Sequence, residues 1–225
     1  MALLPAGSSI LDIGCGSGQP IARYLIAHGF DVVGVDSSPT LISKCRTRFP
    51  DQEWIVADMR TLSMNRRFQG LIAWDSFFHL SHEHQRAMFP IFSEHAADGA
   101  ALLFTTGPEH GEAIGSYQGE PLYHASLSPV EYRKLLGSHG FSVVCGGYPS
   151  HFVGFLAALH QGTLGPTLRS TLPASANYLV CFRVLCGRVS LRDGTSHAPA
   201  SQVCITHSRP VRRQRSCRNR ACPFD

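Results

Sequence analysis

Ile10-Leu11-Asp12-Ile13-Gly14-Cys15-Gly16-Ser17-Gly18 is the stretch that decides the fold. Its first four residues, apolar but for one carboxylate, read as a short buried strand. Three glycines at alternate positions then make a tight turn, and an amphipathic stretch opens directly behind them. In a strand, glycine turn and helix of this kind, backbone can approach a ligand closely and the free N–H groups of the helix start meet its negative end. A dinucleotide fingerprint beginning at Gly14 needs a glycine at position 19, where Gln19 stands, so nicotinamide and flavin cofactors are disfavoured. Asp12, two residues ahead of Gly14, would repel a pyrophosphate and suits a ligand that bears an ammonium group.

Outward from this turn, short apolar runs alternate with amphipathic stretches, the pattern of a parallel sheet covered by helices on both faces. Strands are expected at residues 10–13, 31–35, 54–57, 71–74, 100–105 and 141–145. Helices are expected at about 19–28, from Ser38-Pro39 to about Phe49, at 81–97 and at 128–139. Pro90 should kink or restart the third of them, and Ser128-Pro129 with Glu131 forms a capping box at the start of the fourth. Residues 107–127, rich in Gly, His and Tyr, read as a long connection and the best available lid, with Gly107, Gly111, Gly115 and Gly119 as flexible points. Residues 178–185 (YLVCFRVL) are the candidate for a seventh strand, in place of a tight hairpin after the sixth.

Asp36 closes the second expected strand, 18 residues after Gly18, near the interval at which a carboxylate meets a ribose diol; Asp58-Met59 ends the third. With LDIGCGSG, VVGVDSSPTLI, IVADM, GLIAWDSFFHL, DGALLFTT and SPVEYRKLLGSHGF in place, residues 9–145 resemble the class I S-adenosylmethionine-dependent methyltransferases, in particular the small bacterial single-domain enzymes. The resemblance implies a Rossmann-like, doubly wound, mostly parallel seven-stranded sheet and S-adenosyl-L-methionine as cofactor. It also implies roles residue by residue. Asp12 would face the cofactor's amino group, Gly14, Gly16 and Gly18 its methionine and ribose, and Asp36 both ribose hydroxyls. Asp58 would accept from the adenine amino group, Met59 would pack at the ring, and Trp74 to His79 would lie beside the sulfonium methyl. His79 is the candidate base, since imidazole ordinarily titrates near neutrality. No metal is called for. The Asn-Pro-Pro-aromatic motif of amino-directed DNA methyltransferases is absent, Trp74-Asp75-Ser76-Phe77 standing there instead, which leaves a small-molecule acceptor.

Composition agrees with this reading and narrows it. Hydrophobic residues make up 44% of 225 and charged residues 16%, which excludes a chain disordered throughout. No apolar run approaches the ~20 residues of a bilayer span, and the first ten residues lack a secretory signal's pattern, so a cytoplasmic setting is expected. The net charge of +4 is concentrated in residues 187–225, which carry eight Arg against two Asp. The remainder is mildly acidic, so its balance implies no nucleic-acid face. We therefore expect a methyltransferase domain over 1–186 and an Arg-rich, disordered tail over 187–225. The eight Cys include no CxxC pair and read as free thiols. The short N-terminal lead and the unusual C-terminal stretch keep a second reading open, a truncated or catalytically incompetent S-adenosylmethionine-binding protein.

Overall fold

The computed structural model describes residues 4–147 and 154–159. In chain order its strands are β1 (Ser9–Ile13), β2 (Asp31–Asp36), β3 (Glu53–Val56), β4 (Phe68–Ala73), β5 (Ala96–Thr105), β6 (Gly111–Tyr117), β7 (Glu120–Ser126), β8 (Phe141–Gly147) and β9 (Gly154–Leu159). The helices are α1 (Ile21–Ala27), α2 (Pro39–Arg48), α3 (His82–His95) and α4 (Pro129–Ser138). Seven strands form one sheet in the order β3-β2-β1-β4-β5-β9-β8. The first five pair in parallel, and β9 runs antiparallel between β5 and β8. The doubly wound, mostly parallel sheet expected from sequence is present. Strand order reverses between β1 and β4, which opens a crevice at the carboxyl ends of these strands, where ligands bind in open α/β sheets.

Alternation along each strand divides the core between the two faces. Leu11, Ile13, Val33, Val35, Leu71, Leu102 and Phe104 point to one side, where Phe77, Phe89, Phe92 and Tyr132 cover them. Ile10, Val32, Ile72 and Leu103 point to the other, against Ala22 and Leu25 of α1 and Ile42 and Cys45 of α2. Both faces being covered, the strands are apolar almost throughout, and Asp12 stands out for that reason. The aromatic side is knit by ring contacts: Phe77 meets Phe104 at 5.1 Å and 62°, and Phe104 stacks on Phe155 of β9 at 5.5 Å and 22°.

Three expectations are corrected. Residues 107–127 are no loose loop: β6 and β7 form an antiparallel hairpin with Tyr117 opposite Glu120. Its two-residue turn has φ of 53° at Gln118 and 89° at Gly119, so both residues sit in the left-handed region, as tight hairpins require. Only Gly119 of the four proposed flexible glycines lies in a turn. The ribbon escaped notice because β6 is exposed along most of its length and lacks apolar alternation.

The seventh strand of the sheet is β9, drawn from residues 154–159, and it pairs antiparallel with β8, where the sequence suggests no tight pairing. Residues 178–185 and the tail 187–225 lie outside the described residues.

Finally, α3 continues through Pro90 as one helix. Pro90 and Arg86, the residue whose carbonyl the proline deprives of an N–H, are both on the exposed face, where that acceptor is open to solvent.

The hairpin is clamped at its base by α3 and α4. The buried Gln85 donates from Nε2 to the carbonyls of Leu80 and Ala125 at 2.9 and 2.8 Å. Its Oε1 accepts from the Tyr132 hydroxyl at 2.6 Å, and that hydroxyl accepts the Leu127 N–H at 3.0 Å. Every polar atom of this buried cluster has a partner, which is what makes it stabilising. His82 adds a contact from Nε2 to the carbonyls of Gly111 and Ser126 at 3.1 and 3.0 Å.

Candidate functional site

The site begins at the end of β1. Asp12 is buried on the α1–α2 face, and among the described residues its Oδ2 has no hydrogen-bond partner. Burial, reinforced by the nearby charge of Asp36, pushes its carboxyl up to about 7. The three glycines of the following turn do different work. At Gly14 (φ +77°) a Cβ would lie 2.3 Å from the Ser76 Cβ, so only glycine lets Ser76 close over the turn and donate from Oγ to the Ile13 carbonyl at 2.7 Å. At Gly18 a Cβ would press on Phe49 at 3.0 Å. At Gly16 (φ +56°), chain neighbours aside, no atom of the described residues lies within 4 Å of that position, so this glycine faces open space.

Asp36 ties the turn to β2. Its Oδ2 accepts the Gly16 N–H at 2.9 Å and its Oδ1 the Ser38 N–H at 2.8 Å. A carboxylate has about four acceptor positions, so two remain for a ligand. Ser76, the residue that covers the turn, was not singled out from sequence; it is 63 positions from its partner Ile13, and only the β1–β4 pairing joins them. Cys45 was missed as a site neighbour for the same reason. Its thiol donates to the Gly16 carbonyl from below at 3.3 Å, and burial pushes both it and Cys15 above the ordinary thiol range.

Asp58 and Met59 come to the same end of the sheet. Met59 Cε lies 3.1 Å from the Cβ position of Gly14, beside the turn. The Asp58 carboxylate is engaged, since it accepts the Arg60 N–H at 2.9 Å and pairs with the Arg60 guanidinium, which holds it below the usual carboxylate range. Trp74 is half-buried and packs with the α1–α2 side of the core.

Beyond Trp74 the chain leaves the carboxyl end of β4 and runs on to His79. Asp75 has φ of 47°, a strained conformation outside glycine, fixed in part by its N–H donating to Thr105 Oγ1 at 2.8 Å. The protein packed around it pushes its carboxyl up, against the opposing pull of His79. His79 sits on the short 3-10 turn Phe77–His79, with Nδ1 2.9 Å from the Tyr123 carbonyl of β7. The His79 and His124 rings are 4.9 Å apart. Burial, and then the proximity of His79, lower the His124 imidazole from its ordinary value. Among the described residues no cluster of His, Cys, Asp and Glu could hold a metal ion, and no helix is long and apolar enough to cross a membrane.

The sheet order, the glycine turn and the carboxylates at the ends of β1 and β2 are joined by a match of residues 10–99 to the family model for the methyltransferase domain. Over these residues the chain is similar to methyltransferase domains. The domain is 29% identical over 101 residues to dTDP-3-amino-3,4,6-trideoxy-alpha-D-glucopyranose N,N-dimethyltransferase of Streptomyces venezuelae, a span of 44% of this chain and 42% of that one. The chain thus spans about two fifths of the length of the curated relative it matches.

Solved structures share the fold at lower identity. A methyltransferase from Methanosarcina mazei superposes with a TM-score of 0.60 at 18% identity, covering 71% of this chain and 96% of its own. An amino pentose methyltransferase from Micromonospora echinaspora superposes with a TM-score of 0.56 at 18% identity, covering 69% and 85%. A sugar N-methyltransferase from Streptoalloteichus gives 0.58 at 15%, covering 71% and 83%.

Proposed function

We propose that this protein transfers a methyl group from S-adenosyl-L-methionine to a small-molecule acceptor. The observation that carries the reading is the orphaned Oδ2 of Asp12, buried behind a glycine turn whose Gly16 faces open space beside Asp36. A buried carboxylate without a partner is costly, and an ammonium group supplies what it lacks. These residues therefore fit a nucleoside that carries a free amino acid better than a pyrophosphate. Asp12 would hold the ammonium group, directly or through water, and Asp36 would take the ribose hydroxyls on its two remaining acceptor positions. Gly14, Gly16 and Gly18 would shape the turn beneath the methionine and ribose, with Met59 and Trp74 packing alongside. Asp58 would serve the adenine amino group by sharing its carboxylate with Arg60.

When bound, the cofactor supplies an electrophilic methyl group on a sulfonium. Methyl transfer forms one bond from the acceptor heteroatom to that methyl and breaks the bond to sulfur. What remains for the protein is to align the acceptor, exclude water and take up one proton. His79 is the residue we assign to the proton, on Nε2. The curated relative and two of the structural neighbours are named for amino sugars or sugar nitrogen, which supports an amine acceptor. Free thiols at Cys15 and Cys45 suit the cytoplasmic setting read from sequence.

Calorimetry with S-adenosylmethionine tests the binding half of this reading. Release of S-adenosylhomocysteine over a panel of amines and alcohols that includes amino sugars tests the transfer. Absence of binding by the wild-type protein would overturn the reading. Binding without turnover on any acceptor would instead favour the alternative, a cofactor-binding protein without catalysis.

A further inference from the structure

We propose that His124 is a positioning residue for His79, and that the β6–β7 hairpin holds the His79 imidazole in the tautomer whose Nε2 accepts a proton. This rests on the methyl-transfer reading above and goes beyond it, because it gives the hairpin a part in the chemistry. The hydrogen bond sets the tautomer. A carbonyl oxygen only accepts, so at 2.9 Å from the Tyr123 carbonyl His79 Nδ1 carries the hydrogen, and in the neutral ring Nε2 has the lone pair. Nε2 has no hydrogen bond among the described residues.

The ring is held by packing as well. His124 lies 4.9 Å away at an interplanar angle of 41°, and Phe78 lies 4.6 Å from His79 and meets His124 edge-on at 5.2 Å and 88°. All three rings are half-buried. The strand opposite leaves room for this arrangement, since a Cβ at Gly115 would lie 3.2 Å from His124 Cε1.

The charged and titratable groups around the pair are Asp75 on the segment that leads to His79, Tyr123 beside His124 on β7, Glu112 on β6 and His82 on α3. Burial and the proximity of His79 disfavour the His124 cation, and His79 is the ring to which we assign the acceptor's proton. In that step the acceptor N–H bond breaks and an Nε2–H bond forms. The Nδ1–H bond to Tyr123 is kept, and the proton on Nε2 leaves to water.

The test is long-range proton–nitrogen correlation spectroscopy on the full chain labelled at histidine nitrogen, at a pH where the rings are neutral. Calorimetry with S-adenosylhomocysteine runs in parallel. We expect His79 in the Nδ1–H form in the wild type. His124→Phe, which keeps the ring, should preserve it, whereas His124→Ala should give a mixture of both tautomers. Gly115→Val, which leaves both histidines in place and pushes on His124, should also give a mixture and decides the matter if His124→Ala does not fold. His79→Asn places an amide N–H where Nδ1 stands and should keep the hairpin's amide protection, while His79→Ala should speed exchange in β7 roughly five- to tenfold.

An Nε2–H form of His79 in the wild type would overturn the proposal. So would an unchanged tautomer in every folded variant among His124→Ala and Gly115→Val. Failure to bind S-adenosylhomocysteine, with the tautomers as expected, would count against the cofactor reading and leave the positioning role standing.

Discussion

The Asp36 carboxylate accepts the Gly16 N–H at 2.9 Å, so the end of β2 holds open the turn that follows β1. The same side chain takes the Ser38 N–H at 2.8 Å and thereby fixes the start of α2. One residue thus sets the shape of the candidate cofactor site and offers its remaining acceptor positions to a ligand.

Replacing Asp36 with Ala should weaken S-adenosylmethionine binding by about 1.5–3 kcal/mol, the range for hydrogen bonds to a charged group, and lower the melting temperature as well. Asp36→Asn keeps one acceptor oxygen and should recover part of both. Calorimetry that shows no change in affinity for a folded Asp36→Ala protein would place the ribose elsewhere.

Asp12 predicts a pH dependence of definite sign. Its carboxyl is raised to about 7 in the folded chain, against an ordinary value of 3.8 when unfolded. Between these values the folded state binds a proton that the unfolded state has lost, so this group's contribution makes stability fall as pH rises from about 4 to about 7 and level off above. The stability difference between wild type and Asp12→Asn, measured by denaturant unfolding, should follow that curve. Affinity for S-adenosylhomocysteine should instead increase as pH passes through about 7, because the carboxylate form is the one that attracts an ammonium group. Asp12→Asn should flatten that increase.

Three substitutions at two glycines should separate packing from ligand access. Gly16→Ala meets open space and carries mainly the left-handed backbone cost of about 1–2 kcal/mol. Gly14→Ala adds a collision with Ser76 at 2.3 Å and should cost a further 1–3 kcal/mol or so, as overpacking does. Gly16→Val should retain the fold and lose cofactor binding. Chemical denaturation and calorimetry on the three variants give the comparison, and equal stability of the two alanine variants would contradict it.

Tyr132→Phe deletes the hydroxyl that joins Gln85 to the Leu127 N–H, leaving both buried without that partner. A loss of about 1–3 kcal/mol is expected. Because the cluster belongs to the hairpin base, hydrogen exchange should rise in β6 and β7 while cofactor affinity stays near wild type. Unchanged hairpin exchange would mean that the other contacts suffice to hold it.

For catalysis, His79→Asn should lower turnover on an ionisable acceptor by something like 10²-fold or more without changing cofactor affinity, since the amide keeps the Tyr123 contact and cannot take the proton. Full turnover by this variant would remove His79 from the reaction and leave positioning alone.

Local sequence determined much of this protein. The alternation of apolar strands and amphipathic helices, the glycine turn after β1 and the Ser38-Pro39 and Ser128-Pro129 helix starts depend on neighbouring residues, and all stand in the structure. Asp12 and Asp36 could be named because a carboxylate at the end of a buried strand is conspicuous against an apolar background. Tertiary structure alone decided the rest. Gly154–Leu159, a six-residue apolar segment, becomes the seventh strand because β5 and β8 leave an antiparallel slot between them, a condition set by chain far away. The hairpin at 111–126 carries little apolar pattern of its own, and its position follows from Gln85, Tyr132 and His82 gripping its base. Ser76 over Gly14, Cys45 beneath Gly16 and His124 against His79 are contacts between residues 29 to 62 positions apart. Periodicity reports which face a residue takes on its own element, and these pairings depend on how elements meet, a choice made by the packing of the whole sheet.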